Sequence, residues 1–166
     1  MNEPALGSPG YFERVLGVAV VLDGPEYRCT RESFPDISLV VAYQLPPDAV
    51  ERLRSNASLL ENRPLQLDYE QDHELVRWSR EPPTGEAAYA IQAALTVIPY
   101  VQGGECTGPF SVDRVRSELS SVYGGDILYS VQYKRIRSSA TFVIDSIDLR
   151  VLNLATGRFY LVVSDG

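Results

Sequence analysis

The chain holds one histidine, His73, and it stands between Asp72 and Glu74. An imidazole beside carboxylates can act as a general base, but it needs a positioned partner whose proton it takes. Nothing marks one: the Gly-x-Ser-x-Gly turn that presents a nucleophilic serine is absent. His73 therefore reads as an exposed loop residue in an acidic stretch. Cys29, His73 and Cys106 are far apart in the chain and no Cys-x-x-Cys occurs, so no metal site is expected. Gly103-Gly104 lacks the lysine of a phosphate-cradling loop. Asp145 and Asp148 could act as a carboxylate pair, but odd and even positions of a strand face opposite sides. The reading is a non-enzyme with no cofactor. Asn56-Ala57-Ser58 fits the glycosylation pattern but falls inside an expected helix, so it is taken as chance.

The residue types that do stand out suit contact rather than catalysis. Tyrosines concentrate towards the C-terminus, with arginines beside them. Tyr and Arg supply large contact area and planar hydrogen bonding, the composition of interface hot spots. The candidate interface residues are Tyr11, Phe12, Tyr129, Tyr133, Arg135, Arg137, Arg158 and Tyr160. The competing reading is a Tyr-rich sheet with charged strand ends.

Positioning those residues falls to a chain of 166 residues, 45% hydrophobic, with a net charge of -7. That length suits one domain with a real core. The charge argues against nucleic acid as a partner, because phosphate contacts need clustered Lys and Arg. No apolar run reaches the roughly 18 to 20 residues of a membrane helix, and the first residues do not resemble a signal peptide. The expected location is a virion or the cytoplasm. In such a setting Cys29 and Cys106 are expected as two separate thiols.

Residues 1 to 10, with two Pro and two Gly, read as an extended arm, and 11 to 166 as a single domain. Val15 to Leu22 is a β-branched run ending at Asp23-Gly24-Pro25, which predicts a strand. Glu26 to Thr30 and Ile37 to Tyr43 predict two more. Pro46-Pro47-Asp48 opens a helix whose stripe is Val50, Leu53, Ala57 and Leu60. Leu65 to Tyr69 alternates like a strand and would pair with Leu75 to Ser79. Glu86 to Tyr100 reads as a short helix running into a strand. Ser111 caps a second amphipathic helix through Val122. From Ile127 onward the chain reads as a three-stranded antiparallel meander, with Phe159 to Val163 as a candidate sheet edge. The predicted fold class is α+β: a mainly antiparallel sheet with two principal amphipathic helices packed on it.

Two segments resemble known families. Within residues 37 to 70, Leu45-Pro46-Pro47 and Arg52-Leu53-Arg54 are similar to the first domain of phage baseplate hub proteins, where a strand ends in a polar-Leu-Pro element before an Arg-containing helix. Asp68-Tyr69 replaces that family's Gly-Tyr pair. The resemblance implies a virion component that docks onto other proteins and carries no catalytic residues. Within residues 95 to 163, Val97-Ile98-Pro99, Gly125-Asp126-Ile127 and Asp148-Leu149-Arg150 through Thr156-Gly157-Arg158 resemble curli-secretion-type envelope lipoproteins. The leading expectation is a non-enzymatic assembly subunit of a phage tail or baseplate, contacting itself or neighbouring virion proteins. The alternatives are an envelope-associated accessory protein of a secretion or assembly system, and a small-ligand-binding domain or enzyme with an unrecognised site.

Overall fold

The computed structural model describes residues 4–33, 36–62, 73–138 and 141–165. The fold is α+β. Its strands are β1 (Tyr27–Ser33), β2 (Asp36–Gln44), β3 (His73–Ser79), β4 (Glu105–Thr107), β5 (Ile127–Ser138), β6 (Thr141–Asn153) and β7 (Arg158–Asp165). They form one sheet in the order β3-β5-β6-β7-β2-β1-β4, with every pair antiparallel. The helices are α1 (Pro9–Leu16), α2 (Pro47–Ser55), α3 (Ala57–Asn62), α4 (Gly85–Leu95), α5 (Val97–Val101) and α6 (Val112–Glu118).

Helices cover both faces of the sheet. On one, Tyr11, Phe12, Val15 and Leu16 of α1 join Val50 and Leu53 of α2 over Leu39, Val41, Phe159 and Leu161. On the other, Ala90, Ile91 and Ala94 of α4, Ile98 of α5 and Val115 of α6 lie over Val40, Ala42, Leu149, Tyr160 and Val162. That is why β2 reads as the unbroken run Ser38 to Tyr43 in place of an alternating one: all six residues are buried. A strand covered on both faces needs apolar residues at odd and even positions alike.

Several expectations change. The run Val15 to Leu22 is no strand. Ser8 accepts a hydrogen bond from the Tyr11 amide, Pro9 fills the first turn, and Gly17 closes the helix at φ 81 with its N–H on the Glu13 carbonyl. These signals make α1 out of the first half of the run and leave Val18 to Leu22 outside any element. Nor is the N-terminal stretch an extended arm from residue 4 on. Residues 6 to 8 form a turn, Leu6 packs on the α1-side core, and Gly7 sits so close to Tyr43 that a Cβ would lie 2.7 Å from its hydroxyl. Leu95 to Val101 is helical, because Pro99 falls in the first turn of α5, where its missing N–H costs nothing. The expected single helix from Pro46 breaks at Asn56, which leaves the helical region at φ -122 and donates to the Arg52 carbonyl.

β7 lies between β6 and β2 at the centre of the sheet, so Phe159 to Val163 is not an edge. The edges are β3 and β4. His73 is the first residue of β3, half-buried and paired with Lys134, and not an exposed loop residue. β3 pairs with β5; Leu65 to Tyr69 lies outside the described residues. The two cysteines are bridged. Cys29 on β1 and Cys106 on β4 are register partners with Cα atoms 4.1 Å apart, within reach of a disulfide.

Candidate interaction site

Five of the eight candidate interface residues are core residues: Tyr11, Phe12, Tyr129, Tyr133 and Tyr160 are all buried. Their contact area is consumed inside the chain, so they offer no outer surface. Arg135 ion-pairs with Glu86 of α4 at 2.9 Å. Arg137 has its side chain outside the described residues.

Arg158 belongs to a closed ring of charge. Arg114 reaches Glu26 at 2.7 Å and Glu118 at 2.8 Å, while Arg158 reaches Glu26 at 3.1 Å and Glu118 at 2.9 Å. The hydroxyls of Tyr160 and Tyr27 donate to the other Glu118 oxygen at 2.8 and 3.3 Å. Burial alone would push the Glu118 carboxyl up, but the hydrogen bonds from Arg114 and Tyr160 and the nearby guanidinium charges win, and its pKa lies below the usual range. Burial, reinforced by Glu118, drives the Tyr27 and Tyr160 hydroxyls well above their ordinary value. Two carboxylates and two guanidiniums balance, and both Glu118 oxygens are fully engaged. The cluster pins α6 to β7 and to the entry of β1; chemistry on a substrate would need a group with capacity to spare.

A second polar region lies on the α1 side of the sheet. His73, Gln132, Lys134, Ser146, Asp148, Val163 and Asp165 line a groove of about 280 Å³. A bulge builds it: Tyr133 pairs with Ile147 and Lys134 with Asp145, which leaves Ser146 as the extra residue at φ 46. The inserted residue shifts the alternation, so Asp145 and Asp148 share the α1-side face, contrary to simple odd-even counting. Ser146 donates to Asp165 at 2.9 Å. One pleat further in, Arg150 is only 4% exposed, with Asp148 3.6 Å away. Among the described residues its Nε and Nη1 have no hydrogen-bond partner, and the buried Tyr11 hydroxyl lies beside it.

The third region is apolar and was missed by reading for Tyr and Arg. Val18 to Leu22 runs on from α1 with alternating exposure: Ala19 and Val21 point out, Val20 points in, and Val21 is 80% exposed. No hydrogen bond among the described residues reaches the backbone of this segment. At its start lies a groove of about 440 Å³ lined by Leu16, Val18, Leu53, Leu59 and Leu60, with Arg52 and Asn56 on the rim. Leu59 is 66% exposed. The β-branched run was the visible signal, read as a strand where no strand pairs with it among the described residues.

Comparison with known proteins adds no relative: no family model, curated protein or solved structure matches the chain.

Proposed function

We propose that this chain is a non-enzymatic assembly subunit, a virion component of the phage tail or baseplate kind, that works by docking onto other protein chains. The observation that carries the reading is Val18 to Leu22 with its neighbouring groove. Backbone groups with no hydrogen bond among the described residues, an exposed Val21 and an exposed Leu59 in the groove are what a contact surface presents before its partner arrives. The hub-like resemblance gains support from the order of β2, Leu45-Pro46-Pro47 and the Arg-containing α2. The test is sedimentation velocity of the full chain, alone and co-expressed with the products of adjacent genes. The reading expects a defined complex. A chain that stays monomeric in every mixture overturns it.

One observation favours the envelope-associated reading. The Cys29–Cys106 bridge suits an oxidising compartment, where disulfides form and persist. The envelope-type pattern is realised only in part, because Val97-Ile98-Pro99 lies in α5 and not in a strand. Cell fractionation with thiol trapping separates the two. Recovery from an extracytoplasmic fraction with the bridge formed supports the envelope reading, and recovery from the cytosol with both thiols trapped removes its support.

A further inference from the structure

Residues 102 to 108, which include β4, are all exposed and lie along the outer edge of β1. The chain is anchored on either side of them. Val101 is fully buried, Phe110 packs its ring on Tyr27 at 5.8 Å, and Arg114 donates to the Pro109 carbonyl at 3.4 Å. We infer that the Cys29–Cys106 bridge is a redox latch on this stretch: a dithiol opens it at Cys106, and residues 102 to 108 leave β1 while the rest of the sheet stays folded.

No apolar burial holds the stretch down. Ordering its backbone costs free energy at every residue, and exposed side chains return none of it. What pairs it with the sheet is a ladder of three register pairs, Arg28 with Thr107, Cys29 with Cys106 and Thr30 with Glu105. Cα atoms 4.1 Å apart mark the middle pair as one that exchanges no backbone hydrogen bonds, which leaves that to the outer two. The glycines agree. A Cβ on Gly104 would lie 2.0 Å from the Thr30 carbonyl oxygen, and one on Gly108 2.2 Å from that of Glu26. The stretch is laid directly against the β1 backbone at both ends, with the bridge as the tie at its centre.

The bridge is open to thiol exchange from one side. Cys29 is fully buried whereas Cys106 is exposed, so an incoming thiolate reaches the Cys106 Sγ. Attack there forms a mixed disulfide and breaks the bond to the Cys29 Sγ, which leaves as a thiolate and takes up a proton. The reductant's second thiolate then displaces the Cys106 Sγ, which also takes up a proton, and the reductant departs as a disulfide. Both electrons and both protons come from the dithiol, so no other reactant is needed. Release turns β1 into the edge of the sheet, with the backbone groups of Arg28 and Thr30 uncovered.

Hydrogen exchange resolved by residue on the full chain, with and without dithiothreitol, tests this, and mass spectrometry checks the redox state. On reduction the Arg28 and Thr30 amides should exchange within about tenfold of an open chain, while those of Cys29 and Arg31, which face β2, keep at least about a hundredfold protection. Protection of Arg28 and Thr30 that survives reduction overturns the inference, because β4 then stays without its tie. Loss at Cys29 and Arg31 as well overturns it too, because the bridge is then a staple of the whole fold. So does a bridge that dithiothreitol reduces only after urea has unfolded the chain. Gly104→Ala gives a second reading. Its methyl opposes the closed position, so the bridge should be reduced at a dithiothreitol concentration at least about tenfold lower than in wild type. An unchanged concentration, with circular dichroism showing the same fold, overturns the close seating that the latch requires.

Discussion

Arg150 carries a full positive charge into an almost fully buried position with one long ion pair to show for it. Desolvating a guanidinium costs several kcal/mol, and two of its nitrogens recover nothing from hydrogen bonds within the described chain. Arg150→Met keeps the bulk and removes that cost, so urea denaturation should find it within about 1 kcal/mol of wild type or more stable. Asp148→Asn removes the one ion-pair partner that Arg150 has among the described residues and should destabilise by about 3 kcal/mol. The reverse order of stabilities would show that water or Tyr11 compensates the cation fully. Glu118 makes a prediction with a definite sign. Its pKa is lowered in the folded chain, so the stability it contributes is present above the ordinary carboxylate value and is lost as pH falls through the folded one. Thermal melts over an acid series should therefore show a fall in stability that Glu118→Gln flattens. Partial exposure keeps the effect modest. Tyr27 and Tyr160, shifted up, add a loss on the alkaline side that starts above about pH 10.

At the scale of elements, β4 is the weakest strand, three exposed residues paired only with β1, and the disulfide is what fixes it. Replacing Cys29 and Cys106 by Ala should lower stability by about 2 to 5 kcal/mol in urea denaturation. A loss near zero would mean that α5 and α6 alone hold this stretch in place. The elements also show where local pattern is enough. The β5-β6-β7 meander was legible because Tyr129, Val131 and Tyr133 alternate with Ser130, Gln132 and Lys134, and α6 because Ser111 caps it. Local pattern failed where the outcome depended on a distant partner. Val18 to Leu22 has strand composition but pairs with no strand among the described residues, and composition alone cannot show that. Cys29 and Cys106 meet only because the sheet brings β4 alongside β1 across a separation of 77 residues. Five of the eight interface candidates are buried for a related reason. Tyr and Arg mark contacts of any kind, and in this sheet the tyrosines are buried beneath helices on both faces. Asp145 and Asp148 turned on one inserted residue, Ser146, whose bulge follows from pairing that the sequence does not display.

For the whole molecule, the Cys29–Cys106 bridge has a mechanical meaning. It turns the chain between the two cysteines into a covalent loop, so a pull applied at the ends passes through the sulfur atoms and bypasses everything between them. Strands β2 and β3 and helices α2 to α5 lie wholly inside that loop, and none of the loop can be drawn out as slack. The 77-residue separation hides about 260 Å of contour length at roughly 3.4 Å per residue. Single-molecule stretching should show full extension lengthening by about that amount when reductant is added. An unchanged extension would mean that the bridge is not formed in the molecule being pulled. The bridge caps how far the chain can be stretched before a covalent bond must give.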